Sequence, residues 1–226
     1  MQYEVIGKTV PAVEVTLSQG ESMYTQSGGM VWQTEGIEMK TNTKGGLMKG
    51  LGRMLTGESL FMATYTARRE GAHIAFGATA PGDILPVNLT GTSGIIAQKR
   101  AFLCAEEGVD LSIALTKRLS AGVFGGEGFI LQDISGNGHV FLEIDGDQVV
   151  KQLDAGEVIK VDTGNVVAFD KTVRYEVETV KGLSNIVFGG EGLFLTKLTG
   201  PGRIILQTQN FNDFASRIVA MMPSRG

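Results

Sequence analysis

Histidine and cysteine supply most of the nucleophilic and metal-ligating chemistry open to a protein at neutral pH. This chain of 226 residues holds two of the first, His73 and His139, and one of the second, Cys104. A single cysteine excludes an internal disulfide and a cysteine-based zinc cage. His73, His139 and Arg203 each open an apolar segment, in His73-Ile-Ala-Phe76, His139-Val-Phe-Leu142 and Arg203-Ile-Ile-Leu206. If those segments are equivalent, two imidazoles and a guanidinium form a set that would bind an anion. The competing expectation is simpler: alternation from Ile74, Val140 and Ile204 puts each on the outward side of a strand. An arginine at the third place argues against a metal.

Other motifs suggest chemistry and fall short of it. Gly45 and Gly50 are spaced as in a phosphate loop, yet Leu51 and Gly52 stand where Lys and Ser or Thr are required. The same stretch carries Leu47, Met48, Leu51, Met54 and Leu55 beside Lys49 and Arg53, a soft apolar surface with two cations. It is the candidate interaction segment, facing a subunit, another protein partner or an anionic membrane surface. Glu143, Asp145 and Asp147 cluster at a turn without the ligand order of a calcium loop. Gly91-Thr-Ser-Gly94 lacks the nucleophile-elbow pattern, and Gly125–Gly128 lacks the strand–helix context of a dinucleotide site. Cys104, between Leu103 and Ala105, reads as a small buried apolar residue. No catalytic residue, cofactor site or metal site is expected, and the chain is not expected to be an enzyme.

The elements that must position these residues are strands. Val13, Val15 and Leu17 alternate with polar residues, as do Val109, Leu111 and Ile113, and Val173, Tyr175 and Val177. A period of two marks half-exposed strands of an antiparallel sheet. Glycine turns separate the runs, and Asp145-Gly146 predicts a hairpin joining 140–144 to 149–153. Helical spacing appears in Phe214, Ile218, Val219 and Met222, predicting a short helix over 212–222 capped by Asn212 or Asp213. The fold class is all-β, of sandwich type.

Self-comparison adds an organisation. Gly125-Gly-Glu-Gly-Phe-Ile130 returns as Gly189-Gly-Glu-Gly-Leu-Phe194, with a looser copy in Gly57-Glu-Ser-Leu-Phe61. Gly20-Glu21, Gly82-Asp83 and Gly156-Glu157 form a second set of anchors. The expectation is one domain over 1–226, built from repeats of about 12–80, 81–152 and 153–210 around a pseudo-threefold axis. The 32 glycines belong largely to these turns. A net charge of −4 disfavours nucleic acid as a partner. No signal-peptide pattern opens the chain and no apolar run approaches the ~20 residues of a membrane helix, so the expected location is cytoplasmic.

The run 45–61, with Gly20-Glu21 and Gly189-Gly-Glu-Gly-Leu-Phe194, resembles a bacterial and archaeal family of unknown function. That family is related to the fungal "altered inheritance of mitochondria" protein of mitochondrial biogenesis, and the resemblance extends from Val13 to Gln209. It implies a fold like that of the trp RNA-binding attenuation protein and an oligomeric, non-enzymatic protein. The mitochondrial relative is linked to inner-membrane organisation. The resemblance carries no catalytic residue to transfer. The expected role is therefore a non-catalytic binding or scaffold module acting as a homo-oligomer, a trimer first. RNA binding by fold analogy and peripheral membrane organisation through 45–57 are the alternatives.

Overall fold

In the computed structural model the described residues are 1–26, 28–43, 61–117, 129–179 and 194–222. The fold is all-β, with one α-helix among the described residues, at the C-terminal end. The strands cluster into two compact units. The first comprises Met1–Ser93, Arg100–Asp110 and Ser135–Ile144, and the second Gly94–Lys99, Leu111–Ile134 and Asp145–Gly226.

In the first unit one sheet runs in the order β1 (Gln2–Ile6), β2 (Ala12–Leu17), β7 (Ala72–Gly77), β4 (Met30–Gln33). The alternation read in 13–17 holds: Val13, Val15 and Leu17 are buried while Glu14 and Thr16 are not. The unit's other strands run β5 (Ile37–Thr43), β6 (Phe61–Ala67), β3 (Ser22–Gln26), β10 (Phe102–Glu106), then the second part of β12 (Phe129–Asp145). Strand β8 (Gly82–Thr90) also pairs with β12. The core gathers Val15, Leu17, Ile74, Phe76, Cys104 and Phe141. Tyr24 is buried there too, its hydroxyl donating to the Val109 carbonyl at 2.8 Å.

In the second unit the order is β13 (Gln148–Leu153), β18 (Gly202–Gln207), β15 (Val166–Asp170), β9 (Ile95–Gln98), then the first part of β12, with β11 (Val109–Lys117) on β12. A separate sheet runs β14 (Val158–Asp162), β17 (Phe194–Thr199), β16 (Arg174–Thr179). Ile96, Leu131, Phe169, Leu198 and Ile204 form the core of this unit. The expected segment 81–152 is thus divided: β8, β10 and the end of β12 lie in the first unit, and β9 and the start of β12 in the second.

Three strand pairs share one register and one bulge. In β4 and β7, Met30 faces Phe76, Trp32 faces Ala75 and Gln33 faces Ile74. In β10 and β12, Phe102, Cys104 and Ala105 face Leu142, Phe141 and Val140. In β15 and β18, Val166, Ala168 and Phe169 face Leu206, Ile205 and Ile204. Each pair skips one residue at the same step. A bulge adds an unpaired residue and raises the local twist, so its recurrence fixes the same bend three times.

Two local expectations are corrected. The turn at Asp145-Gly146 forms, with Gly146 at φ +73°, but β12 and β13 do not make a hairpin. Strand β13 pairs with β18 instead, from Gln148 opposite Gln207 to Leu153 opposite Gly202. The backbone groups of Asp145 are taken by the end of β18 and the residues after it: its N–H donates to Gln207 Oε1 at 2.9 Å, and its carbonyl accepts from Gln209 N at 3.1 Å. The helix α1 is Phe211–Ala220, starting before the expected 212, and its cap is Asn210, not Asn212 or Asp213. The Asn210 Oδ1 accepts from Asn212 N at 3.0 Å, closing the first turn as an N-cap should.

Candidate functional site

The three positions singled out for chemistry occupy one structural place. His73, His139 and Arg203 each immediately precede the bulged register, and each gives its backbone N–H to a side chain at the end of the facing strand or one residue past it. His73 N donates to Thr34 Oγ1 at 3.0 Å, His139 N to Glu106 Oε2 and Arg203 N to Asp170 Oδ2 at 2.9 Å. Donor and acceptor residues are 33 apart in sequence in the last two cases. The acceptor closes the strand end that the bulge opens, so a polar residue is needed there for the same reason that a helix needs a cap.

The side chains at these positions also have local partners. His73 Nδ1 lies 3.2 Å from Thr16 Oγ1, His139 Nδ1 is 3.1 Å from Glu106 Oε2, and Arg203 Nη2 is 3.4 Å from Asp170 Oδ1. All three are half-buried, and the His139 ring also meets Tyr3 at a centroid distance of 5.4 Å. The carboxylates of Glu106 and Asp170 thus meet both the backbone N–H and the side chain of the residue they face.

The acidic anchors are spent in a similar way. Glu21 Oε2 accepts from Ser18 N at 2.8 Å, and Glu157 Oε2 accepts from Asp154 N at 2.9 Å. The third such turn is not at Gly82-Asp83, as the sequence motif suggests. There Asp83 Oδ1 accepts from Ile84 N, its chain neighbour. The matching contact is Thr90 N to Ser93 Oγ at 3.0 Å, so a serine takes the place of the glutamate and hides the match from sequence comparison. Ser93, read in sequence as a failed nucleophile, closes a turn.

The remaining candidates fall into place or outside the description. Leu47, Met48, Lys49, Leu51, Arg53, Met54 and Leu55 lie outside the described residues, as do the two glycine blocks at 125–128 and 189–192. Cys104 is fully buried, and burial pushes its thiol well above the usual range. Glu143 Oε2 accepts from Thr79 N and Thr79 Oγ1, both at 2.8 Å, and Asp145 Oδ2 accepts from Phe211 N at 3.0 Å. Two of the three turn carboxylates therefore hold backbone. Glu143 and Thr79 line the edge of a cleft in the first unit with Gln26, Arg100 and Phe102. Among the described residues no group of three His, Cys, Asp or Glu is arranged to hold a metal ion.

Sequence reasoning missed a buried polar group. Gln132 in β12 is fully buried opposite Ala97, and neither atom of its amide has a hydrogen-bond partner among the described residues. An unmade buried hydrogen bond costs about 1–3 kcal/mol. Gln132→Met keeps the volume and removes the polar atoms. It is expected to stabilise the protein by about 1 kcal/mol, read as a rise of roughly 2–4 °C in a thermal melt followed by circular dichroism. A lower midpoint would mean that the amide is satisfied.

The model of the mitochondrial biogenesis family AIM24 matches residues 3–209. The chain belongs to the AIM24 family. A relative from Streptococcus pyogenes serotype M6, an uncharacterised protein, is 28% identical over 222 residues, covering 95% of this chain and 88% of its own. A crystal structure of a Streptococcus pyogenes protein superposes with a TM-score of 0.79 at 25% identity, covering 98% of this chain and 99% of that one. For this AIM24 protein the likeness therefore spans both units, and the relatives bring no assigned activity. Among the described residues no helix is long and apolar enough to cross a membrane.

Proposed function

We propose that this AIM24-family chain is a non-catalytic scaffold or binding module that works as a homo-oligomer, its frame made of three repeated segments, β2–β7, β8–β12 and β13–β18, with the long β12 standing for two strands. The observation that carries the reading is the recurrent bulged register of β4/β7, β10/β12 and β15/β18, with a side-chain acceptor at the end of each. The residues best suited to chemistry, His73, His139 and Arg203, sit where that frame needs its strand ends closed. Glu21, Ser93 and Glu157 sit where it needs its turns closed. Polar groups committed to backbone are poor starting material for acid–base work, which needs a group within reach of a substrate proton.

Support for assembly comes from apolar surface on strands that end their sheets. Val31 and Trp32 in β4 are 56% and 41% exposed, and Val158 in β14 is 48% exposed. Sedimentation equilibrium over a hundredfold concentration range tests the reading. The expected result is a mass of several chains, with three as the first guess. A single-chain mass throughout would overturn it.

A further inference from the structure

The three bulged pairs make residues comparable from one segment to the next. Phe76, Leu142 and Leu206 hold one place, and Phe102 and Val166 hold the place that faces it. Counting on along the chain, Glu143 matches Gln207 and Thr79 matches Asp145. Counting back from Phe102 and Val166, Arg100 matches Gly164. A hydrogen bond recurs at the matched places: Thr79 N donates to Glu143 Oε2 at 2.8 Å, and Asp145 N to Gln207 Oε1 at 2.9 Å. The surroundings of that bond are finished differently in the two units.

In the second unit the residues after β18 fill the place. Gln209 N donates to the Asp145 carbonyl at 3.1 Å, and Phe211 N donates to Asp145 Oδ2 at 3.0 Å. Between them the Asn210 amide lies over Gly164, so close that any side chain at 164 would strike it. Gln207 Nε2 completes the closure by donating to the Gly164 carbonyl at 2.9 Å. The residues that match this plug, from Asp145 on, belong to the second unit, and Asp145 N is taken by Gln207. At the matched place in the first unit is a cleft of about 250 Å³, lined by Gln26, Thr79, Arg100, Phe102 and Glu143. It has room for one side chain with the backbone beside it, since sites for drug-sized ligands begin near ~300 Å³.

We propose that this cleft takes an extended segment of a partner protein that carries an asparagine, seated as Gln209–Phe211 is seated in the second unit. Backbone N–H groups of the segment meet the Thr79 carbonyl and Thr79 Oγ1, as those of Gln209 and Phe211 meet Asp145. Thr79 Oγ1 donates to Glu143 Oε2 and keeps its lone pairs for accepting. The asparagine amide meets Arg100 and Glu143. A primary amide has an acceptor oxygen and two donor hydrogens, and a guanidinium and a carboxylate complement one end each. Five N–H donors on the one and about four acceptor sites on the other let both serve the amide beside the contacts they already make. An aspartate there meets Glu143 with like charge, and a lysine meets Arg100 with like charge, so the neutral amide is favoured over either. This rests on the reading of the chain as a binding module and adds what it binds. It needs no oligomer, so the mass measurement above and the titration below can fail separately.

The chain's own plug supplies the probe. A dye-labelled peptide of residues 208–212, Thr-Gln-Asn-Phe-Asn with blocked ends, is titrated into the full chain and followed by fluorescence anisotropy. Peptides with Asn210→Ala and Asn210→Asp are titrated beside it. The expected result is saturable binding of the asparagine peptide, at least tenfold weaker for the other two. In the chain, Arg100→Gly and Glu143→Gln each install the residue that the second unit carries at the matched place, so both are compatible with the fold. Arg100→Gly is expected to weaken the asparagine peptide at least tenfold. Glu143→Gln keeps an acceptor for Thr79 N and turns the other end of the group into a donor, so its preference is expected to switch to the aspartate peptide. That switch is read as a ratio within one variant and does not depend on how much of the variant folds. No saturation with the parent chain, equal affinity for the asparagine and alanine peptides, or affinities unmoved by both chain substitutions would each overturn the proposal.

Discussion

Replacing Phe169 by alanine is expected to lower stability by about 3–5 kcal/mol, the range for a buried phenylalanine truncated to a methyl group. Phe169 is 1% exposed, faces Ile204 on one side and Ile96 on the other, and tilts against Tyr175 with ring centroids 5.2 Å apart. Its counterpart in the first unit is Ala105, which the fold accommodates because Tyr24 stands opposite. A small residue faces a large one there, and a large residue faces an intermediate one here. Alanine at 169 opposite Ile96 leaves a void that neither neighbour fills. The same logic gives a rescue: adding Ile96→Phe to Phe169→Ala is expected to restore about 1–2 kcal/mol by reversing the size pattern. Urea denaturation followed by circular dichroism reads both effects. Full stability in the single variant, or none regained in the double, would show that the paired positions do not share one packing space.

Gly136→Ala carries the second large effect, about 3 kcal/mol of destabilisation, argued from backbone strain plus a close approach. Gly136 has φ +106°, a region L residues enter at a cost, and a Cβ built there would lie 2.3 Å from the Gly108 carbonyl oxygen. That oxygen accepts from Asn137 N at 3.0 Å, and the Gly136 carbonyl accepts from Gly91 N at 2.9 Å, so the backbone has no slack. Gly20→Ala is the control. Gly20 also has positive φ, +90°, but nothing lies within 4 Å of its added Cβ. Its expected cost is strain alone, about 1 kcal/mol. Equal losses in the two variants, measured by the same denaturation, would remove the close approach as a cause.

Local patterns were legible wherever the cause is local. The alternation in 13–17 reports a strand with one face buried, because a period of two leaves no other way to bury Val13, Val15 and Leu17 together. Cys104 between apolar neighbours reads correctly as buried, and the spacing of Phe214 and Ile218 places the helix to within a residue at its start. The cap is not legible in the sequence because Asn210, Asn212 and Asp213 can all cap a helix, and only the folded chain selects Asn210 among them. Gly82-Asp83 misleads for a related reason: a turn needs an acceptor three residues on, and Ser93 supplies it as well as a glutamate does. Sequence similarity tracks residue identity, whereas the turn tracks hydrogen-bonding capacity.

What the sequence determined by itself is the all-β class, the strand faces and the family, since these follow from periodicity, turn residues and motifs along the chain. Tertiary structure decided which strands pair. The Asp145-Gly146 turn was read correctly, yet β13 joined β18, because the backbone groups of Asp145 are satisfied by residues 207–209. The structure also decided that the candidate residues His73, His139 and Arg203 end bulged strand pairs. A strand carries its donors and acceptors wherever it goes, and its own residues do not encode which distant edge will take them. That choice is made only when the whole chain has packed.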